Sequence, residues 1–125
     1  MVLAAAYVAN AVMRIDLYFN DVVQEIKSDP KAVRWGDRVV LIPSPFAENA
    51  KREIVMLKLK QTGFVRTPAE KVWARYQSEI DRGRELYTRE ANNLACNIKV
   101  YVFLEFNDNN ELSFAEGTLH EHGCL

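Results

Sequence analysis

The stretch IKVYVFLEFNDNNELSFA, residues 98–115, decides the fold class. Its first half places an apolar residue at every second position, the period of a β-strand: Ile98, Val100, Val102, Leu104 and Phe106. The polar cluster at 107–110 is typical of a turn, and residues 111–115 return with Leu112 and Phe114 in register. The opposite face carries Tyr101 and Phe103, so we expect other residues to cover part of it.

The N-terminal part of the chain predicts a long amphipathic helix. Apolar residues recur at alternating intervals of four and three: Met1, Ala5, Val8, Val12, Ile15, Phe19, Val22 and Ile26. Asp29-Pro30 ends this helix, because the residue before proline avoids the helical conformation. The pattern suits a core helix lying across a sheet, or a helix that pairs with a second copy of itself. The pairing interface would then be Val8, Val12, Ile15, Phe19, Val22 and Ile26.

Two shorter elements follow in the prediction. The segment from Ala32 to Ile42 reads as a hairpin around Gly36-Asp37, since β-prone residues stand on both sides of that pair. Ser44-Pro45 then predicts a helix start, and Gly63 predicts its end. Its apolar face would be Phe46, Ala50, Ile54 and Leu57.

A second long helix is predicted from about residue 68 to residue 94. Thr67-Pro68-Ala69-Glu70 has the form of a capping box with proline at the first helical position. Apolar positions then recur at helical spacing: Val72, Tyr76, Ile80, Gly83, Tyr87, Ala91 and Leu94. Gly83 either allows close packing on another element or marks a bend.

The sequence therefore predicts a single α+β domain over residues 1–125, with elements in the order α-β-β-α-α-β-β. The two hairpins would join into one antiparallel sheet packed on the long helices.

Composition narrows the class of protein. Apolar residues make up 49% of the chain and the net charge is −1, so it is neither disordered nor driven as a whole onto nucleic acid or membrane. No apolar run is long enough to span a bilayer, and the first thirteen residues lack the basic start of a signal peptide. We expect Cys96 and Cys124 to be reduced thiols in a cytoplasmic protein.

Catalytic and cofactor motifs are missing from the sequence. There is no G-x-S-x-G, no phosphate-binding loop and no dinucleotide fingerprint, so an enzyme is disfavoured and no cofactor is expected. His120 and His122, with Cys124 nearby, are a candidate metal site, because alternate residues of a strand share one face. The competing interpretation is a solvated tail.

Residues 51–75 form a basic segment with a local charge of +5. Basic residues beside aromatic ones can neutralise phosphates and stack on bases. The candidate nucleic-acid-binding residues are Lys51, Arg52, Lys58, Lys60, Arg66, Lys71, Trp73 and Arg75. The alternative is that these side chains form ordinary solvated helix surfaces.

Three motifs in this region also carry a family resemblance: Val39-Val40-Leu41-Ile42-Pro43, a helix ending in Leu57-Lys58-x-Lys60-x-x-Gly63-Phe64, and Arg66-x-Pro68-x-x-Lys71-x-Trp73. Together, residues 39–73 resemble the HARP-type DNA-binding module of annealing helicases. That module runs strand, helix, Gly-Phe and a short hairpin holding the Pro-x-x-Lys-x-Trp run, and it binds branched or single-stranded DNA. The resemblance implies DNA binding. The resemblance thus predicts a hairpin for residues 68–77, whereas their own capping and apolar pattern predicts a helix.

Two functions follow from these patterns. The first is a non-enzymatic intracellular binding or assembly protein that forms a homo-oligomer through its long helices, with no membrane association and no specified small-molecule ligand. The alternative is a nucleic-acid-binding accessory protein, of the kind carried by mobile elements, that uses the basic segment.

Overall fold

The computed structural model describes residues 20–92 and 96–124. Within these ranges, five strands form one antiparallel sheet: β1 (Val39–Val40), β2 (Val65–Arg66), β3 (Glu85–Asn92), β4 (Asn97–Phe106) and β5 (Leu112–His122). Their order across the sheet is β1-β5-β4-β3-β2. The α-helices in the same ranges are α1 (Asp21–Lys27), α2 (Pro30–Trp35), α3 (Arg52–Gln61) and α4 (Gln77–Asp81). The predicted α+β class with an antiparallel sheet is confirmed, whereas the predicted element order is wrong.

The β4–β5 hairpin is the element that the sequence predicted best. Strand β4 pairs with β5 from Asn97 opposite His122 to Phe106 opposite Leu112. The turn lies at residues 107–110, where the side chain of Asn107 accepts hydrogen bonds from the backbone N–H groups of Asn109 and Glu111. A bulge at Glu105/Phe106 adjusts the register next to that turn.

One face of the sheet carries the larger core. The even-numbered residues of β4, from Ile98 to Leu104, are buried there against α1 and α3. Helix α1 begins where the side chain of Asn20 caps the N–H of Val23, and it ends before Asp29-Pro30 as predicted. Residues 1–19 lie outside the described part of the chain, so the rest of the predicted first helix is not described.

The other face of the sheet is also covered, as its aromatic residues predicted. Tyr101 and Phe103 of β4 are buried beneath residues of the 72–80 segment, which crosses this face. One short 3-10 helix, Ala69–Lys71, precedes this segment, and a second, Ala74–Tyr76, lies within it and leads into α4. The sheet is therefore the middle layer of three, with helices α1 and α3 on one face and the 72–80 segment on the other.

Two partly buried carboxylates anchor the surrounding elements. Glu79 of α4 accepts hydrogen bonds from Arg38 at 2.7 Å and from Arg84 at 2.5 Å. Burial alone would raise the pKa of Glu79, but the bonds from the two arginines outweigh burial and lower that pKa. Glu85 of β3 accepts a bidentate pair of hydrogen bonds from the guanidinium of Arg52, and its pKa is also lowered.

The predicted hairpin at residues 32–42 is wrong. Residues 30–35 form α2, because the side chain of Asp29 caps the N–H of Lys31 and Pro30 occupies the first helical position. Gly36 then ends α2 in a left-handed conformation, with φ of 71°. Only Val39–Val40 forms a strand, and it pairs with β5.

The helix predicted from Pro45 begins seven residues later, at Arg52. Asn49 has a left-handed φ of 59°, which an α-helix cannot continue through, so the helix starts after it. The predicted end at Gly63 is confirmed by its φ of 83°. The predicted apolar face is wrong for Ile54 and Leu57, which are exposed, since Val55 and Leu59 are the buried residues of α3.

The second long helix, predicted for residues 68–94, is also wrong. Gly83 has a φ of 85° and ends α4 in a bend, and a Cβ there would meet no atom of residues 20–92 and 96–124 within 4 Å. Close packing is thus not the reason for this glycine. Beyond it, residues 85–92 form β3, which pairs with β4 over eight residue pairs. These long-range backbone hydrogen bonds override the weak helical preference of the sequence.

The prediction of reduced cysteines is wrong as well. Cys96 and Cys124 form a disulfide that closes the open end of the β4–β5 hairpin. Because disulfides persist mainly in oxidising compartments, the pairing removes the cysteine-based reason for a cytoplasmic location. Among the described residues, no helix combines the length and apolar character needed to cross a bilayer.

Candidate functional site

A pocket of about 470 Å³ opens on the second face of the sheet, close to the disulfide end of the β4–β5 hairpin. Its lining residues are Trp73, Glu90, Lys99, His120 and Glu121. The strand register explains how three of them meet, since Glu90 of β3 lies opposite Lys99 of β4, and Lys99 lies opposite His120 of β5. Directly opposed residues share one face of a sheet. We call this cavity the Trp73 pocket.

Trp73 reaches the pocket because the chain is extended at this point. Val72 and Trp73 have ψ angles of 133° and 146°, and they separate the two 3-10 helices. Trp73 is 50% exposed, although its ring stacks beside Tyr76 with planes only 4° apart. Trp73 is therefore neither in the predicted α-helix nor in a strand, and half of this large aromatic residue is exposed to solvent.

Buried aromatic rings support the pocket from below. Tyr76 and Tyr101 are 5% and 2% exposed, and their ring centroids are 5.2 Å apart. The hydroxyl of Tyr76 lies 2.7 Å from Nε2 of His120, which fixes the imidazole at the pocket wall. Trp73 lies 5.8 Å from the ring of Tyr101. A rigid aromatic cluster thus holds the exposed indole in place.

The hydroxyl of Tyr101 is buried and finds no hydrogen-bond partner among the described residues. Burial raises the pKa of Tyr101 to about 12, and the neighbouring Tyr76 adds to the effect. An unpaired buried hydroxyl destabilises a folded protein. This unfavourable contribution to the free energy of folding arises next to the half-exposed Trp73.

Cationic groups lie against the aromatic rings of this cluster. The ammonium of Lys99 lies 5.7 Å from the Trp73 ring centroid and 5.6 Å from that of Tyr101, within the range of cation–π attraction. It also lies 3.7 Å from the carboxylate of Glu90, whose side chain is 74% exposed. Arg75 stands over the ring of Tyr76 at 5.2 Å. The pocket wall is thus mixed in charge, with Lys99 beside Glu90 and Glu121, and Arg75 adds a cation on the neighbouring ring of Tyr76.

The structure separates the predicted basic segment into two groups. Four members pair with carboxylates: Lys51 with Glu111, Arg52 with Glu85, Lys58 with Asp21 and Arg66 with Glu85. The other three, Lys60, Lys71 and Arg75, form no ion pair within the described ranges. Two of these three stand on either side of Trp73 in the chain, so the candidate surface is much smaller than the segment.

The predicted oligomer interface is described only at its end. Val22 and Ile26 are fully buried in this chain's own core. Val8, Val12, Ile15 and Phe19 lie outside the described residues.

The structure describes the side chain of only one of the two predicted metal ligands. His120 bonds to the Tyr76 hydroxyl in the Trp73 pocket, and the side chain of His122 lies outside the described part of the structure. Sequence reasoning did not select Glu90, Lys99 or Tyr101 for the site. The only available signal was the second face of β4, where Lys99 and Tyr101 stand two residues apart.

Comparisons of the chain with protein-family models, curated proteins and solved structures find no match. The resemblance of residues 39–73 to the HARP-type module stays a prediction.

Proposed function

We propose that this protein binds single-stranded nucleic acid, with one base stacking on Trp73. The observation that carries the proposal is the half-exposed Trp73, held by buried rings, with the ammonium of Lys99 5.7 Å from its ring centroid. Lys71 and Arg75 stand two residues before and after it in the chain. Exposed aromatic rings beside cations are the usual platform for single strands, because every base offers a face for stacking.

The charges suggest how a strand would lie. Glu90 and Glu121 disfavour a phosphate inside the pocket, so the base would occupy the pocket and the phosphates would lie along the rim near Lys71 and Arg75. The Lys99–Glu90 pair is weak because Glu90 is largely exposed, so Lys99 can turn towards a stacked base. This mode uses no catalytic group and no cofactor.

Salt dependence gives a quantitative expectation. If Lys71 and Arg75 neutralise two phosphates, the logarithm of the association constant should fall with the logarithm of salt concentration with a slope of about −1.4. The four basic residues that already pair with carboxylates should not contribute. A much steeper slope would indicate that the whole basic segment takes part.

The test is fluorescence anisotropy of labelled single-stranded DNA and RNA, measured from about 50 mM salt upwards. Trp73→Ala should weaken binding roughly 5- to 150-fold, the equivalent of about 1–3 kcal/mol of lost stacking. Lys71→Ala should reduce the slope by about 0.7, whereas the matched control Lys51→Ala should leave it unchanged. The proposal is refuted if the wild-type protein does not bind single-stranded nucleic acid at low salt. It is also refuted if Trp73→Ala binds with the same affinity as the wild type.

A second candidate function is self-assembly, and α3 supplies its specific support. Ile54 and Leu57 are 63% and 53% exposed, beside a groove of about 450 Å³ that Asp21 and Thr62 also line. Exposed apolar side chains at a groove favour contact with another chain. One of the two long helices on which the sequence prediction of a homo-oligomer rests, that of residues 68–94, is replaced in the described residues by α4 and β3.

Light scattering after size exclusion tests this candidate. We expect a homo-oligomer at micromolar concentration, and we expect Leu57→Glu to dissociate it because a carboxylate would be buried at the interface. A wild-type monomer under these conditions would exclude self-assembly without affecting the nucleic-acid proposal.

A further inference from the structure

The two cysteines stand at the two free ends of the β4–β5 hairpin. Cys96 directly precedes β4, and Cys124 lies two residues beyond the end of β5. The last residue pair of the ladder is Asn97 opposite His122, so the strand pairing itself brings the two cysteines together. Their Cα atoms are 4.0 Å apart.

A carboxylate lies beside the two sulfurs. An oxygen of Glu121 and the sulfur atoms of Cys96 and Cys124 all lie within 4.8 Å of one another. Glu121 lies opposite Ile98 in the second-last residue pair of the ladder, and both Glu121 and Cys124 are exposed to solvent. A disulfide gains nothing from a nearby carboxylate, since it carries no charge and donates no hydrogen bond.

Reduction of the disulfide changes the electrostatics of this cluster. The two thiols can then lose their protons, and two thiolates beside a carboxylate repel one another strongly. A divalent cation bound between them removes this repulsion. Thiolate sulfur and carboxylate oxygen are both ligands of zinc, and three protein ligands leave a fourth position for water.

We propose that, once reduced, Cys96, Cys124 and Glu121 form a binding site for a thiophilic divalent cation such as Zn²⁺. A dithiol reductant supplies two electrons and two protons, which break the S–S bond and leave two cysteine thiols, while the dithiol becomes a disulfide. Zn²⁺ then displaces the two thiol protons and forms two Zn–S bonds. The inference does not depend on nucleic-acid binding.

The site differs from the metal site that the sequence predicted. His120 is bound to the Tyr76 hydroxyl, whereas Cys96 joins from 28 residues before Cys124. Glu121 also lines the Trp73 pocket, so a bound cation would lie at the edge of that pocket.

The experiment starts from protein reduced with dithiothreitol and desalted without oxygen. Cd²⁺ is the spectroscopic probe, because cadmium–thiolate bonds give a charge-transfer absorbance, and a chromophoric chelator in competition measures Zn²⁺ affinity. We expect one equivalent of metal per reduced chain and none for the oxidised protein. Circular dichroism, recorded in parallel, checks that reduced and variant proteins stay folded.

Three variants locate the ligands. Cys124→Ser should lose the cadmium–thiolate absorbance of a two-sulfur site, and Glu121→Gln should keep that absorbance but release Zn²⁺ at a lower chelator concentration. Asp108→Asn, a carboxylate change at the turn end of the same hairpin, should behave as wild type. The proposal fails if reduced wild type binds no more metal than a Cys96→Ser/Cys124→Ser protein. It also fails if Glu121→Gln releases Zn²⁺ as wild type does.

Discussion

Gly117 of β5 lies in close contact with Ile26 of α1. A Cβ atom at this position would lie 2.5 Å from Cδ1 and 2.9 Å from Cγ1 of Ile26, and 3.1 Å from Cδ1 of Leu41. Ile26 and Leu41 are fully buried, so neither side chain can move into solvent. We expect Gly117→Ala to lower the free energy of unfolding by about 1–3 kcal/mol, the usual effect of overpacking a core.

A double-mutant cycle with Ile26→Val tests the cause of that loss. Valine lacks Cδ1, the atom nearest to the new methyl group, and the single change should cost about 0.5–1.5 kcal/mol in the wild-type background. In the Gly117→Ala background it should cost less, or even stabilise, because it relieves the overlap. We expect a favourable coupling of about 1 kcal/mol.

Equilibrium urea unfolding, followed by circular dichroism, supplies the four free energies of the cycle. The variants should shift the midpoint without changing the slope of free energy against urea concentration. The close contact between α1 and β5 is wrong if the free energy of unfolding of Gly117→Ala lies within about 0.5 kcal/mol of the wild-type value. It is also wrong if the effects of the two substitutions on that free energy add within the same margin.

Three further predictions concern buried polar groups. Tyr101→Phe should leave stability unchanged or raise it by about 1 kcal/mol in urea unfolding, because the lost hydroxyl has no partner among the described residues. Tyr87→Phe is the matched control: its hydroxyl bonds to Glu85 at 2.7 Å, so the same substitution should cost about 1.5–3 kcal/mol, and equal effects would contradict both assignments. The lowered pKa values of Glu79 and Glu85 mean that their stabilisation is complete above the ordinary value of 4.5 and is lost as pH falls through the lower folded pKa. Unfolding at a series of acidic pH values should therefore show a weaker pH dependence in Glu79→Gln than in wild type. The pKa values of Tyr87 and Tyr101 are raised to about 12, mainly by burial, so the folded state resists their ionisation and the free energy of unfolding should fall as pH rises from 10 to 12. The phenolate absorbance should show tyrosines that ionise only near pH 12, and Tyr101→Phe should remove part of that absorbance change. Complete ionisation of all tyrosines near pH 10 would contradict the burial of both rings.

The sequence by itself determined the features that depend on neighbouring residues. The alternation in residues 98–106, the asparagine-rich turn and the stop at Asp29-Pro30 are local patterns, and each lies where it was expected. The cover over Tyr101 and Phe103 was predictable too, because two aromatic rings on one face must be buried somewhere.

Tertiary structure decided the conformation of residues 68–94 and the composition of the site. The apolar spacing there fits a helix, yet pairing with β4 supplies a ladder of hydrogen bonds that local preference cannot match. The Trp73 pocket depends on the register that sets Glu90, Lys99 and His120 side by side. The contact between Cys96 and Cys124 likewise depends on where the two strands end. Such contacts join residues far apart in the chain, and only the pairing of the strands makes them neighbours.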